Sequence, residues 1–167
     1  MIMWRTGDGV RLRARSGRDV TTAWGDLALA GHHLPAGTVL DGEAVITTED
    51  GRISFEAAQA RAASSPVRAR RMAAQRPAHH IAFDALQLPS GDAWPRPYSE
   101  RLAALLNLLA ELPANTPLQA ASATTDRDTA LTWYNTTKQR RRRHRRQTHH
   151  LPLPSRPHRR MAEDPAC

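Results

Sequence analysis

The sequence predicts an α+β domain built on mixed, mainly antiparallel sheet with flanking helices, and three observations carry that prediction. Short runs alternate apolar and polar residues at the period of a half-buried strand, as in Val10-Arg11-Leu12-Arg13. A leucine repeat at helical spacing fills Leu102, Leu105, Leu106, Leu109 and Leu112. Strands and helices follow one another irregularly, which favours α+β over a parallel sheet of regular strand–helix units. A length of 167 residues without an internal repeat suits one domain of ordinary size.

Taken in order, Met1-Ile2-Met3-Trp4, the Gly7-Asp8-Gly9 turn and Val10 to Ala14 predict a hairpin. Its first strand opens at residue 1 with no lead-in, which reads as a truncation. Arg15-Ser16-Gly17-Arg18 leaves the second strand through a glycine; such a strand end can bind phosphate or a ribose edge, and equally is a polar turn. Thr38-Val39-Leu40 and Ala44-Val45-Ile46 flank Asp41-Gly42, which predicts strand, turn and strand with Glu43 opening the second run. Ser54 is set to cap a helix from Phe55, and Ser65-Pro66 to open an Arg-rich helix reaching about Gln75. Ile81 to Leu86 is strand-like, ended by Pro89-Ser90-Gly91, and Phe83 within it is assigned to the core by its residue type. Ser99 is the expected cap of the leucine helix, and Thr125 with Asp128 the capping pair of a last helix through Trp133-Tyr134.

The formal charge is +8, yet residues 1–137 carry 14 Lys and Arg against 14 Asp and Glu, while 138–167 carry 10 against 2. The excess therefore belongs to the tail, and the main body is balanced. Cys167 is the only cysteine, which excludes an internal disulfide and a multi-cysteine zinc site. The pairs His32-His33 and His79-His80 lack carboxylates at ligand spacing. No apolar run approaches the roughly 20 residues that span a bilayer, and the start lacks a signal peptide's apolar core, so an intracellular soluble chain is expected.

The order of Arg15-Ser16-Gly17, then Leu40-Asp41-Gly42-Glu43, then Phe83-Asp84-Ala85 resembles the adenylation domain of ATP-dependent DNA ligases. The helix from Pro97-Tyr98-Ser99-Glu100-Arg101 is similar to the segment that follows in bacterial members. The resemblance covers residues 1 to about 138 and implies a partial, ATP-grasp-like nucleotidyltransferase fold over 1–137, with 138–167 a disordered basic tail. It implies ATP and Mg²⁺ as cofactors, nicked double-stranded DNA as partner, and the cytoplasm of a bacterium as location. In such ligases a lysine attacks the α-phosphate of ATP, the lysyl-AMP passes its adenylate to the 5′-phosphate of a nick, and the 3′-hydroxyl displaces AMP. Carried over by motif, Arg15 contacts the nucleotide, Glu43 holds the ribose hydroxyls or helps place Mg²⁺, and Phe83 stacks on adenine. A carboxylate accepts from a diol, and an aromatic face gains roughly 1–3 kcal/mol by stacking a base.

The family's first motif, Lys-x-Asp-Gly-x-Arg, is missing, and the only lysine of the chain is Lys138. The resemblance therefore supplies no catalytic nucleophile here, and the chain alone is expected to be inactive. The tail invites two readings. Taken literally, Arg140, Arg141, Arg142, Arg143, Arg145 and Arg146 form a disordered arm that binds phosphate backbones, making the chain a small basic nucleic-acid-binding protein. Taken through CGN arginine codons shifted by one base, the same stretch permits Gly-Val-Asp-Gly-Ile-Val-Ala-Lys-Arg, and the run from Met161 permits Trp-Arg-Lys-Ile-Arg. These resemble the family's fourth and fifth motifs, so the tail is expected to be out of frame. RNA ligases and capping enzymes would share the missing lysine motif and form a rival within the enzyme class.

Overall fold

A computed structural model describes residues 1–135. Residues 1–122 form one compact body, and the chain from 123 belongs to a second. The body is a six-stranded sheet with four helices, in the order β1 (Ile2–Thr6), β2 (Gly9–Arg13), α1 (Gly25–Gly31), β3 (Thr38–Ile46), α2 (Phe55–Ala62), α3 (Pro66–Gln75), β4 (Ala78–Leu88), β5 (Gly91–Asp92), α4 (Tyr98–Ala110) and β6 (Leu118–Ala120). The strands lie β2-β1-β3-β4-β5, and β6 also pairs with β4. Every pairing is antiparallel except β4 with β6, so the sheet is mixed, as expected.

The β1–β2 hairpin forms as predicted, with Thr6 opposite Gly9 across a two-residue turn. Alternation then sorts its side chains. Met3, Val10 and Leu12 enter the core, while Trp4, Arg11 and Arg13 take the other face.

The predicted Asp41-Gly42 turn is corrected: Thr38–Ile46 is one continuous nine-residue strand at the centre of the sheet. Its first half, from Thr38 to Asp41, pairs with β1, and Val39 to Ile46 pair with β4. Gly42 is needed for close approach rather than for chain reversal. A Cβ there would stand 2.5 Å from the Ile81 carbonyl oxygen, 2.6 Å from Cε1 of His80 and 2.9 Å from the Ala82 Cα.

All four helices lie to one side of the sheet. Leu27 and Ala30 of α1, Ala57, Ala58 and Ala62 of α2, and Leu102, Leu105, Leu108 and Leu109 of α4 join Met3, Leu12, Leu40, Ile46, Ala82 and Ala85 in one core. α3 packs on α1 and α2. Ser54 caps α2 as expected, its hydroxyl accepting from the Ala57 amide at 3.2 Å. Pro66 opens α3 at its first position, although Ser65 makes no side-chain capping bond. A buried Arg61 ties three elements together. Its guanidinium lies 4.7 Å over the Trp24 ring, its Nε donates to the Ala23 carbonyl at 2.9 Å, and it pairs with Asp26. The second Asp26 oxygen accepts from the Ala78 amide at 2.9 Å, so α1, α2 and β4 share one polar joint inside the core.

Two predicted caps move. Ser99 lies inside α4, whose flanking residue is Pro97, because the Pro95 to Pro97 segment already fixes the chain's entry. Leu106 is 48% exposed and Leu108 takes the buried side instead, since the apolar stripe of α4 follows the sheet it meets rather than all its leucines. In the second body, helix α5 spans 127–135, and Asp126 rather than Thr125 caps it, its carboxylate accepting from the Thr129 amide at 2.7 Å. The hydrogen bond to Thr129 holds the Asp126 carboxyl below the usual carboxylate range. Among the described residues no helix is long and apolar enough to cross a membrane.

Candidate functional site

The face of the sheet opposite the helices carries Trp4, Arg11, Arg13, Asp41, Glu43 and Ile81, each offset by one residue from a core position. None of these side chains belongs to the core cluster. Glu43 stands here, exposed, opposite Ile81 on β4. It makes no ion pair within the described residues, so both carboxylate oxygens can accept from a ligand.

Phe83 is not a core residue, which corrects the assignment made from its residue type. It is 41% exposed, and the pairing explains why. Asp41 faces Asp84 while Gly42 faces Ala82, so Phe83 is the extra residue of a β-bulge in β4. A bulge re-aims the side chain it inserts. Two residues of α4 fix it in place. The Tyr98 hydroxyl donates to the Phe83 carbonyl at 3.2 Å, and Arg101 holds Asp84 through two parallel bonds of 2.8 Å. This two-pronged pair is the strong form of an Arg–carboxylate contact, and the carboxylate in turn raises the Arg101 pKa.

Arg15 sits in the tight turn after β2, exposed and outside every ion pair of the described residues. The Gly17 amide closes that turn on the Ala14 carbonyl at 2.8 Å, and Gly17 adopts φ 82°, a conformation that glycine takes without strain. Register places the end of β2 level with Asp41: Arg13 faces Ile2 and Ile2 faces Asp41, so Arg13 and Asp41 share a level, two strands apart. Strand spacing makes that about 10 Å. Between them the Met1 ammonium donates to the Gly42 carbonyl and lies 3.6 Å from the Asp41 carboxylate.

Glu43 thus stands on the helix-free face, Phe83 bulges from the strand paired with it, and Arg15 lies in the turn that follows the edge strand β2. Sequence reasoning missed their supports: Arg13, whose guanidinium lies 5.8 Å over the Trp4 ring, and the Tyr98 and Arg101 pair behind the bulge. The usable signal was an acid in the Phe83-Asp84 strand followed by Tyr98 and Arg101 on successive turns of one helix face. Arg140 to Arg146, and the expected boundary between residues 137 and 138, lie outside the described residues.

An adenine ring and a ribose diol fit this chemistry, an exposed aromatic residue on the strand paired with that of a carboxylate outside every ion pair of the described residues. The fit to Mg²⁺ is narrower. No group of three or more His, Cys, Asp or Glu among the described residues is placed to hold a metal. Glu43 therefore suits at most one corner of an ion otherwise held by water and phosphate, the usual habit of Mg²⁺.

Comparison with known proteins agrees with the architecture. The solved structure of mycobacterial DNA ligase D complexed with ATP and MES superposes with a TM-score of 0.55 at 31% identity, over 72% of this chain and 36% of that one. The ligase domain of M. tuberculosis LigD gives 0.55 at 30%, with the same coverage. The fold is that of a ligase nucleotidyltransferase domain. DNA ligase C of Mycobacterium tuberculosis is 39% identical over 137 residues, 80% of this chain and 38% of that protein. DNA ligase C2 of Mycolicibacterium smegmatis is 39% identical over 135 residues, 80% and 37% of the respective lengths. Residues 1–142 match the ATP dependent DNA ligase domain family, and the chain belongs to it as adenylation-domain sequence. It spans under two fifths of the length of these curated relatives.

Proposed function

We propose that this chain carries part of the nucleotide site of an ATP-dependent DNA ligase that seals nicks in DNA repair and recombination through a lysyl-AMP intermediate. The observation that carries the reading is the pairing of the Glu43 strand with the strand from which Phe83 bulges in a ligase-type sheet, with Arg15 in the turn after the edge strand. In this reading Phe83 stacks on adenine, Glu43 accepts from the ribose hydroxyls, and Arg15 approaches the nucleotide from the β2 turn. Glu43 would hold one corner of a Mg²⁺ ion, which would supply charge neutralisation at the triphosphate.

No residue of this chain matches the nucleophile, since Lys138 is its only lysine and no Lys-x-Asp-Gly motif occurs. The chain therefore holds ATP without becoming adenylated and does not seal nicks by itself. The tail from 138 is read as an out-of-frame product of a gene that encodes the remaining lysine motifs in the next frame. Support comes from the family match, which runs through 137 and stops at residue 142, inside the arginine run. Sequencing the gene tests this directly, because absence of those motifs in the shifted frame ends it.

ATP titration followed by calorimetry tests the site. Phe83→Ala is expected to weaken binding about 5- to 150-fold, the equivalent of roughly 1–3 kcal/mol of stacking. Equal affinity of the variant and the parent chain would refute the stacking role.

A further inference from the structure

We propose that the β1–β2 hairpin grips the phosphodiester backbone of duplex DNA through Arg11 and Arg13. The inference rests on the ligase reading and adds to it the surface that holds the nucleic acid beside the nucleotide.

Residues 1–18 hold five arginines against one aspartate, in a body whose charge balances only when they are counted. Alternation sends Arg11 and Arg13 to the same face as Glu43, both exposed, and neither forms an ion pair within the described residues. Asp19 is bridged to Arg13 through the backbone, and its carboxyl pKa is lowered first by its hydrogen bonds to Thr21 and further by the charges of Arg13 and Arg11. It is tied to Thr21 by a 2.9 Å bond, which leaves the guanidinium edges open.

Charge on an edge strand has a simpler use, since it discourages pairing with another chain. Two features go beyond that. The Arg13 guanidinium lies 5.8 Å over the Trp4 ring, which holds the side chain on that face. The two Cα atoms, two residues apart on a strand, are separated by roughly 7 Å. Successive phosphates of one DNA strand lie within reach of such a pair, and a guanidinium can bind each one two-pronged. The hairpin ends in the Arg15 turn, which makes the basic track continuous with the nucleotide face.

Helix α3 offers a contrast inside the same molecule. Arg68, Arg70, Arg71 and Arg76 are equally exposed, but α3 sits on α1 and α2, on the helix side of the sheet.

The test uses the full chain with Arg140, Arg141, Arg142, Arg143, Arg145, Arg146, Arg159 and Arg160 changed to Gln, so that a tail of balanced charge does not mask the body. Binding to a fluorescent nicked duplex is read by anisotropy over a range of salt concentrations. R11Q/R13Q is expected to reduce the slope of log K against log salt by about two, near 0.9 for each lost phosphate contact, while R68Q/R70Q/R71Q leaves it unchanged. The second readout needs no hairpin variant. Phenylglyoxal modification of the unaltered chain, mapped by mass spectrometry, is expected to show DNA protecting Arg11 and Arg13 but not the arginines of α3. An unchanged slope in R11Q/R13Q, protection confined to α3, or no duplex binding once the tail is neutralised overturns the proposal. ATP titration of the same samples separates the two readings: retained ATP binding leaves the ligase reading standing when the hairpin fails.

Discussion

His80 shows how a single residue answers to its surroundings. It is fully buried beneath the Gly42 backbone, with Nε2 at 3.4 Å from the Met1 carbonyl and no partner for Nδ1 within the described residues. Burial pushes its pKa down to about 4; the Met1 carbonyl opposes the shift, the nearby ammonium reinforces it and Asp41 resists it. The unfolded chain, titrating near 6.5, takes up this proton first as the pH falls. The stability linked to His80 is therefore fully present above pH 6.5 and is lost toward pH 4, by roughly 2–3 kcal/mol. Urea unfolding at pH 7 and pH 4.5 checks this. His80→Asn should show a pH dependence smaller by about that amount, and an unaltered dependence would exclude His80 as its source. Phe83 belongs to the same scale. The motif order singled it out as a site candidate, but its exposure was not legible, because residue type favours the core and only the register of two strands reveals the bulge.

Among the elements, those with strong local signals were legible: the first hairpin, the Ser54-capped α2, the proline-initiated α3, β4 and α4. What escaped were elements made by tertiary contact. α1 has seven residues, glycine at both ends and no side-chain cap, while β5 and β6 have two and three residues and exist through pairing with β4. Asp41-Gly42 was misread for a related reason. A turn and a strand glycine pressed against a neighbour look alike along the chain, and only the sheet distinguishes them. Gly42→Ala tests the difference. At a turn the change would be tolerated, whereas against the Ile81 carbonyl and the Ala82 Cα it should cost about 3 kcal/mol, the upper part of the overpacking range. A thermal melt of the variant within a degree of the parent would restore the turn.

At the scale of the whole molecule, the helices on one face leave the other for ligands, and every residue proposed for function lies on that face or at its end. The charge balance of the body was legible from composition, as was the isolation of the +8 excess in the tail. The division of the sheet into a packed and an open face was not, since both faces supply apolar and polar residues. The central claim is that the open face still receives ATP while the chain lacks the group that would bond to it. Irradiating the chain with 8-azido-ATP and Mg²⁺, then mapping the label by mass spectrometry beside a sample kept dark, tests it most directly. The account predicts light-dependent label on the β4 segment that carries Phe83 and none in the dark. Covalent nucleotide in the dark sample, on Lys138 or elsewhere, or label confined to the helix side of the sheet, would contradict it.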